Sequence, residues 1–295
     1  MLWRERRISM RLDEEQESQN IEDRRGFRVS RGVAGGGIGT IVIVLVALYF
    51  GVDPSLLLQG NLQETNVPQG TSPQSQSGSQ DEMRQFVARV LGSTERTWSN
   101  IFQAAGRTYE KPTLVLFSDT VQSACGFAQA AAGPFYCGPD RKVYIDLSFY
   151  RDLRQRFQAP GDFAQAYVIA HEVGHHVQNL LGIMTKVQSL QSRATTRNEA
   201  NALSVRLELQ ADCLAGIWAS YANRERNILE QGDVEEGLNA AAQIGDDRIQ
   251  KRAQGYVVPE GFTHGSAEQR VQWFRRGIES ADLKQCDTFA RRSVS

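Results

Sequence analysis

Three of the chain's four histidines lie within six residues of one another, in the segment AHEVGHHVQ at 170–178. His171 and His175 are four residues apart, so on a helix both imidazoles project from one face, about 6 Å apart, and can bind a single zinc ion. Glu172 is offset by one position, and its carboxylate can reach a water molecule at an open coordination position. The alternative is a helix whose histidines are hydrogen-bonded in the core or face water.

A second pair of polar residues supports the metal interpretation. In RLELQADCLAG, residues 206–216, Glu208 and Asp212 are again four apart within an otherwise apolar helical pattern. Carboxylates in such surroundings are costly unless they are paired or bind a metal. We expect Glu208 to be the third zinc ligand, which leaves the fourth position for water, and Asp212 to orient a ligand imidazole through its other ring nitrogen.

The remaining histidine, His264, lies beside a glycine in FTHGSAEQR, residues 262–270. We predict that it donates a hydrogen bond to the oxyanion that forms when a carbonyl group is attacked. The alternatives are a solvated loop histidine or one that caps the following helix. Arg270 ranks behind His264 for this role, with a structural ion pair as its alternative. His176 is turned by about 100° from His175 on a helix, so it is expected to support the ligands indirectly or to face the surface.

Helices must carry both motifs. Apolar periodicity with start and stop signals predicts helices near residues 81–106, 161–182 and 198–221. Two stretches rich in β-branched or aromatic residues, 112–118 and 142–150, predict strands ahead of the first motif helix. We therefore expect an α+β, mostly helical domain with a small sheet before the active-site helix. The second strand is expected to offer an edge to an extended peptide.

The first eighty residues differ in composition from the rest. Residues 33–52 carry no charge and are long enough to cross a bilayer core of about 30 Å as a helix. A cleaved signal peptide is the competing interpretation, but a long polar segment precedes the run and no clear cleavage site follows it. Four arginines at 24–31 place the N-terminus in the cytoplasm. We predict a disordered cytoplasmic tail (1–32), a transmembrane helix (33–52), a flexible linker (53–80) and an extracytoplasmic domain (81–295).

All four cysteines follow the apolar run, so they lie on the predicted outer side of the membrane. An even number of cysteines in an oxidising compartment predicts two disulfides, although three pairings are possible. Cys125 with Cys137 is the local choice, which leaves Cys213 with Cys286. Buried free thiols are the alternative.

The motifs together resemble those of the gluzincin metallopeptidases, in which H-E-x-x-H is followed by E-x-x-x-D on a second helix. More closely, the chain resembles the bacterial YpfJ-type family of membrane-anchored neutral zinc metallopeptidases, over nearly its whole length apart from the linker. The matching stretches are ESQNIEDRRG (17–26), CGFAQAAAGPFYCGPDRKVYIDLSFY (125–150), AHEVGHHVQ, ELQADCLAG, QIGDDRIQ (243–250) and FTHGSAEQRVQWFRRG (262–277).

This resemblance implies a zincin-like fold, a zinc cofactor and a single-pass protein of the bacterial inner membrane. Carried onto the matching positions, it implies that His171, His175 and Glu208 bind Zn²⁺ and that Glu172 is the catalytic acid and base. The implied activity is hydrolysis of peptide bonds in a peptide or protein substrate outside the cytoplasm.

Two other functions remain open from the sequence. One is a catalytically silent, zinc-stabilised binding or assembly factor with a protein partner in the envelope; the other is a helical interaction domain without zinc. Glu172 favours catalysis, because a purely structural zinc site needs no base at that position. Nucleic acid is not an expected partner, since 33 basic residues are balanced by 34 acidic ones.

Overall fold

The computed structural model describes residues 10–25, 73–129 and 133–290. Residues 10–25 and 80–290 belong to one compact unit, whereas 73–79 fall in a second one. As predicted, the fold is α+β and mostly helical. The helices are α1 (Pro73–Ala104), α2 (Ser148–Gln155), α3 (Asp162–Leu180), α4 (Ile183–Gln191), α5 (Arg197–Arg226), α6 (Asp233–Gln243), α7 (Asp246–Gln254) and α8 (Ala267–Ser280), with 3₁₀ turns at Pro259–Gly261 and Leu283–Cys286.

Local signals set both ends of α5, the helix that carries the second motif, and the start of α8, which packs against it. The side chain of Thr196 accepts a hydrogen bond from the N–H of Glu199 at the start of α5, and Asn227 ends that helix in the left-handed conformation. Ser266 and Gln269 form a reciprocal capping box at the start of α8. Both helices therefore have well-defined first turns.

Four short strands form the main sheet, in the order β1 (Ile21–Asp23), β2 (Thr113–Phe117), β6 (Lys142–Asp146) and β5 (Phe135–Cys137). The pairs β1–β2 and β2–β6 are parallel, whereas β5 runs antiparallel to β6. A separate antiparallel pair consists of β3 (Thr120–Ser123) and β4 (Gly126–Gln129).

The prediction that the 142–150 strand offers a free edge is wrong. The strand ends at Asp146, and β6 is paired on both sides, by β2 and by β5. With only three residues, β5 is too short to show a two-residue periodicity, so no pattern in the sequence indicates a strand there.

The H-E-x-x-H helix, α3, lies in the interior, with most of its residues buried. It packs against α5, α6 and the sheet. Two glycines permit close approach to α5. A Cβ atom at Gly174 of α3 would lie 3.0 Å from the carbonyl oxygen of Ala211, and one at Gly277 of α8 would lie 2.0 Å from that of Cys213. Both neighbouring helices therefore pack closely against the part of α5 that follows Glu208.

The prediction of a disordered N-terminal tail is wrong for residues 10–25. Met10 and Leu12 are buried in the main hydrophobic core, and β1 forms one edge of the sheet. The segment is too polar to fold alone, and its order comes from contacts with residues far away in the sequence, which composition does not reveal.

No helix among the described residues is both long and apolar enough to cross a membrane. The predicted transmembrane segment, 33–52, lies outside the described residues, as does the predicted linker up to residue 72, so both remain predictions. The linker prediction is wrong for residues 73–80, which form the first turns of α1.

Both predicted disulfides are confirmed. Cys125 is bonded to Cys137, which closes the loop before β6, and Cys213 of α5 is bonded to Cys286 near the C-terminus. Disulfides of this kind are typical of an oxidising compartment outside the cytoplasm.

Candidate metal centre

Helices α3 and α5 bring two imidazoles and one carboxylate together. Nε2 of His171 lies 3.1 Å from Oε2 of Glu208, and Nε2 of His175 lies 3.5 Å from Oε1 of the same carboxylate. One donor atom from each residue lies within 4.8 Å of the other two. The structure thus brings together the three residues that the sequence singled out as zinc ligands, over thirty positions apart in the chain.

The hydrogen bonds of the two imidazoles suit metal binding. Nδ1 of His171 lies 2.8 Å from Oδ1 of Asp212, and Nδ1 of His175 lies 2.9 Å from Oε1 of Gln178. Both partners are acceptors, so each Nδ1 carries a proton, and each Nε2 is the atom left to bind a metal ion beside Glu208. Two neutral imidazoles and one carboxylate form the donor set of a catalytic zinc site. The residues present therefore fit Zn²⁺.

A buried charged network surrounds the Asp212 side chain, which is fully shielded from solvent. Oδ1 accepts hydrogen bonds from the Tyr167 hydroxyl (2.5 Å) and from Nη2 of Arg270 (2.9 Å), and Oδ2 accepts one from Nε of Arg270 (2.9 Å). Burial alone would raise the pKa of the carboxyl, but Arg270 and His171 outweigh it and lower the pKa of Asp212 to about 2. Asp212 is therefore a carboxylate held in one orientation.

Arg270 thus forms a structural ion pair with Asp212, which was the alternative to hydrogen bonding with the oxyanion. Tyr167 was not identified from the sequence. It lies one helical turn before His171, and that spacing on the buried face of α3 is the signal that would have indicated it.

Glu172 is 7% exposed and lies on α3 between the two ligand histidines. Burial raises the pKa of its carboxyl above the usual value, although the neighbouring imidazoles act in the opposite direction. A carboxylate with a raised pKa is a better proton acceptor at neutral pH than an ordinary glutamate.

His264 lies in a loop that packs on α5. A Cβ atom at Gly265, whose φ is +96°, would come within 3.4 Å of Val205 and Leu209, the residue after Glu208. Asp246 orients the histidine: its Oδ1 lies 3.1 Å from Nδ1, and its Oδ2 accepts the backbone N–H of His264 at 2.6 Å. Burial disfavours the charged imidazole, but Asp246 and Glu208 together raise the pKa of His264.

His176 is separate from the metal ligands. Its Nε2 donates to the carbonyl oxygen of Glu110 at 2.6 Å, and its Nδ1 accepts from the Tyr136 hydroxyl at 3.0 Å. The ring is fully buried, so the surface position that the sequence left open is wrong. Burial lowers the pKa of His176 and keeps the imidazole neutral. This histidine joins α3 to the sheet side of the domain.

Comparison with known proteins also indicates a zinc site. Residues 1–289 match the model of a family described as "Putative neutral zinc metallopeptidase". The chain is 49% identical to "Uncharacterized protein YpfJ" of Escherichia coli K12, over 96% of this chain and 99% of that protein. It is 39% identical to "Uncharacterized protein Rv2575" of Mycobacterium tuberculosis, over 83% of this chain and 85% of that protein.

No solved structure matches the chain. The family match nevertheless covers both motif helices and the segment that contains His264. This chain belongs to the neutral zinc metallopeptidase family, with the YpfJ protein of E. coli among its relatives.

Proposed function

We propose that the protein is a zinc-dependent metallopeptidase that hydrolyses peptide bonds with Glu172 as the general base. The observation that carries the proposal is the convergence of His171, His175 and Glu208. Beside them lies the buried carboxylate of Glu172, which the metal does not need as a ligand. Membership of the zinc metallopeptidase family supports it independently.

The three ligands would hold Zn²⁺ through the two Nε2 atoms and the Glu208 carboxylate. Zinc, when bound, lowers the pKa of water to about 7 and polarises a carbonyl group. Glu172 accepts a proton from the attacking water and later delivers it to the nitrogen of the leaving amine. Its raised pKa suits both steps, since the group must be a base first and an acid afterwards.

We propose that His264 donates a hydrogen bond to the carbonyl oxygen of the substrate. As the bond is attacked, negative charge develops on that oxygen, and a positioned N–H donor stabilises it. Asp246 holds Nδ1 of His264, so Nε2 is the atom that would donate. The side chain is 40% exposed, which leaves room for contact with a bound peptide.

We also propose that the catalytic domain works outside the cytoplasm, attached to the inner membrane through residues 33–52. The two disulfides support the oxidising compartment, and the apolar run supports the attachment. Substrates would accordingly be peptides or proteins of the cell envelope.

The test compares the wild-type protein with Glu172→Gln, a variant of the same size that cannot accept a proton. Bound zinc is measured by elemental analysis, and cleavage is followed on a peptide library by mass spectrometry. We expect both proteins to bind about one zinc per chain and the variant to lose at least about a hundredfold in rate. Equal cleavage by the two proteins would contradict the proposal. Zinc binding without cleavage by either would favour the envelope assembly factor.

A further inference from the structure

We propose that Gln178 and Gln210 are positioning residues for the zinc ligand His175, and that they join it to the C-terminal disulfide. This inference rests on the proposed function, because it concerns the same metal site. Both glutamine side chains are buried. Nδ1 of His175 lies 2.9 Å from Oε1 of Gln178, and Nε2 of Gln178 donates to Oε1 of Gln210 at 3.1 Å.

The direction of every hydrogen bond in this series follows from its last member. Nε2 of Gln210 donates to the carbonyl oxygen of Cys286 at 2.9 Å, and a backbone carbonyl can only accept. Gln210 must therefore present its oxygen to Gln178, which must in turn present its own oxygen to His175. A second bond, from Nε2 of Gln178 to the carbonyl oxygen of Leu207 at 2.7 Å, imposes the same orientation. His175 therefore keeps its proton on Nδ1, and Nε2 is the atom left for the metal.

The disulfide fixes the acceptor at the end of the series. Cys286 is bonded to Cys213, the residue that follows Asp212 on α5. The Cys286 side chain is 1% exposed, and the hydroxyl of Thr288 donates to the carbonyl oxygen of Arg206 at 2.7 Å, also on α5. The C-terminal turn is therefore held against the helix that supplies Glu208, and it is part of the support of the metal site.

The test measures metal binding rather than turnover. In the full-length protein, Gln210→Met removes both hydrogen bonds at nearly constant volume, and Gln210→Glu keeps an acceptor for Gln178 but cannot donate to Cys286. Gln191→Met is the matched control, because Gln191 also joins neighbouring helices, through Ala200 and Ser204, without contacting a ligand. Zinc affinity is measured by competition with a chromophoric chelator, and ligand geometry by the visible absorption spectrum of the Co²⁺-substituted protein.

We expect Gln210→Met to lose about tenfold or more in zinc affinity and to shift the cobalt spectrum, as loss of outer hydrogen-bond partners does at other zinc sites. Gln210→Glu should lose affinity too, and Gln191→Met should match the wild type. Wild-type affinity and spectrum in both Gln210 variants would overturn the inference. If the wild type binds zinc but cleaves nothing, only the proposed function fails; if it binds no zinc, both fail.

From the packing of the N-terminal segment we infer that residues 10–25 lie in the same compartment as the metal site. The segment is built into the domain. The N–H of Leu114 donates to the carbonyl oxygen of Asn20 and the N–H of Arg24 to that of Leu116, each at 2.8 Å, on either side of the parallel β1–β2 pairing.

Buried polar contacts fix the same segment against α1 and α5. The buried carboxylate of Glu15 pairs with Arg226 at 2.5 Å, and the Ser18 hydroxyl donates to the buried Glu95 at 2.6 Å. The backbone passes so close to α1 that a Cβ atom at Gly92 would lie 2.1 Å from the carbonyl oxygen of Gln16. Such contacts cannot form across a membrane.

The chain leaves the compact unit after residue 25 and returns to it near residue 80, and these two points lie close together. The carboxylate of Asp23, at the end of β1, is 3.9 Å from Nε of Arg84, near the start of the part of α1 that belongs to this unit. A single crossing by residues 33–52 would put the N-terminal segment on the opposite side of the membrane from the domain, so it is incompatible with this packing. Residues 33–52 would therefore attach the domain to the membrane without a single crossing. Residues 10–25 are therefore on the domain's side, contrary to the orientation that the arginines at 24–31 predict.

The experiment uses two single-cysteine additions to the full chain, expressed in E. coli. Asp13→Cys places a thiol on the N-terminal segment at a side chain that is 98% exposed, and Glu268→Cys places one on the exposed surface of α8. Spheroplasts are treated with a membrane-impermeant maleimide before and after lysis. We expect the two thiols to react alike in both conditions. Labelling of Glu268→Cys in intact spheroplasts, with Asp13→Cys protected until lysis, would overturn the inference.

Discussion

The two ligand histidines are held in the same tautomer by different chemistry. His171 donates to the carboxylate of Asp212, whose charge is balanced by Arg270 inside a fully buried network. His175 donates to Gln178, and its support passes through neutral amides to a backbone carbonyl. One side of the site therefore depends on buried charge, and the other depends on hydrogen-bond direction alone.

This difference determines how much stability a substitution on each side of the site should cost. A buried ion pair contributes little net stability, but removing one partner leaves the other charge uncompensated in a low-dielectric interior. A broken amide series leaves unsatisfied dipoles, which cost less. The His171 side should therefore be the more sensitive to substitution and the only one of the two to respond to acid.

Asp212→Asn should have the largest effect. The substitution leaves the Arg270 guanidinium buried without its counter-charge, so we expect the free energy of unfolding to fall by about 3–5 kcal/mol, with weaker zinc binding. Urea unfolding of the zinc-free protein measures the first and chelator competition the second. The double variant Asp212→Asn/Arg270→Met should recover part of the stability. Additive losses would show that the two side chains do not act as a pair.

Acid should separate the two supports. The pKa of Asp212 is lowered from its usual value of 3.8 to about 2 in the folded protein. Its contribution to stability is therefore present above pH 3.8 and is lost as the pH falls towards 2, with a magnitude of about 2 kcal/mol. Unfolding of the zinc-free protein from pH 5 to about pH 2 should show this loss in the wild type and in Gln210→Met. The same loss in Asp212→Asn would assign it to another carboxylate.

Gln210→Met should lower the free energy of unfolding by about 1 kcal/mol, because a buried carbonyl and an amide each lose a partner without any charge being exposed. The measurement is urea unfolding beside Gln191→Met. A loss as large as that of Asp212→Asn would remove the distinction between the charged and the neutral support.

His176→Phe should have the smallest effect on the metal. The imidazole bonds to Glu110 and Tyr136, not to a ligand, so zinc affinity should equal that of the wild type even where stability falls. Chelator competition checks this. Weakened zinc binding at unchanged stability would place the third histidine in the metal site after all.

How well each part of the site can be predicted depends on how far apart in the sequence its interacting residues lie. His171, Glu172 and His175 lie on one helix, so a local pattern was enough to identify them. Glu208 and Asp212 were recognised because two carboxylates stood out in an apolar helical frame. Arg270 reaches Asp212 from 58 positions away, and Gln210 reaches Cys286 from 76. No local pattern carries such contacts.

The fold prediction failed where order depends on contacts between residues far apart in the sequence. The long helices and the two central strands have their own periodicity, and they were placed nearly correctly. The segment 10–25 is polar and has only one three-residue strand, so its composition resembled that of a disordered tail. Its order depends on Glu95, Arg226 and the edge of β2, which the chain reaches only after folding.

The central claim is that His171, His175 and Glu208 bind zinc, and X-ray absorption at the zinc edge tests it most directly. The predicted first shell has two imidazole nitrogens and light oxygen ligands, all at about 2.0–2.2 Å, with no sulfur at about 2.3 Å. Glu208→Ala should lose the metal or one oxygen ligand. A sulfur ligand, or an unchanged zinc environment in Glu208→Ala, would contradict the assignment of the site.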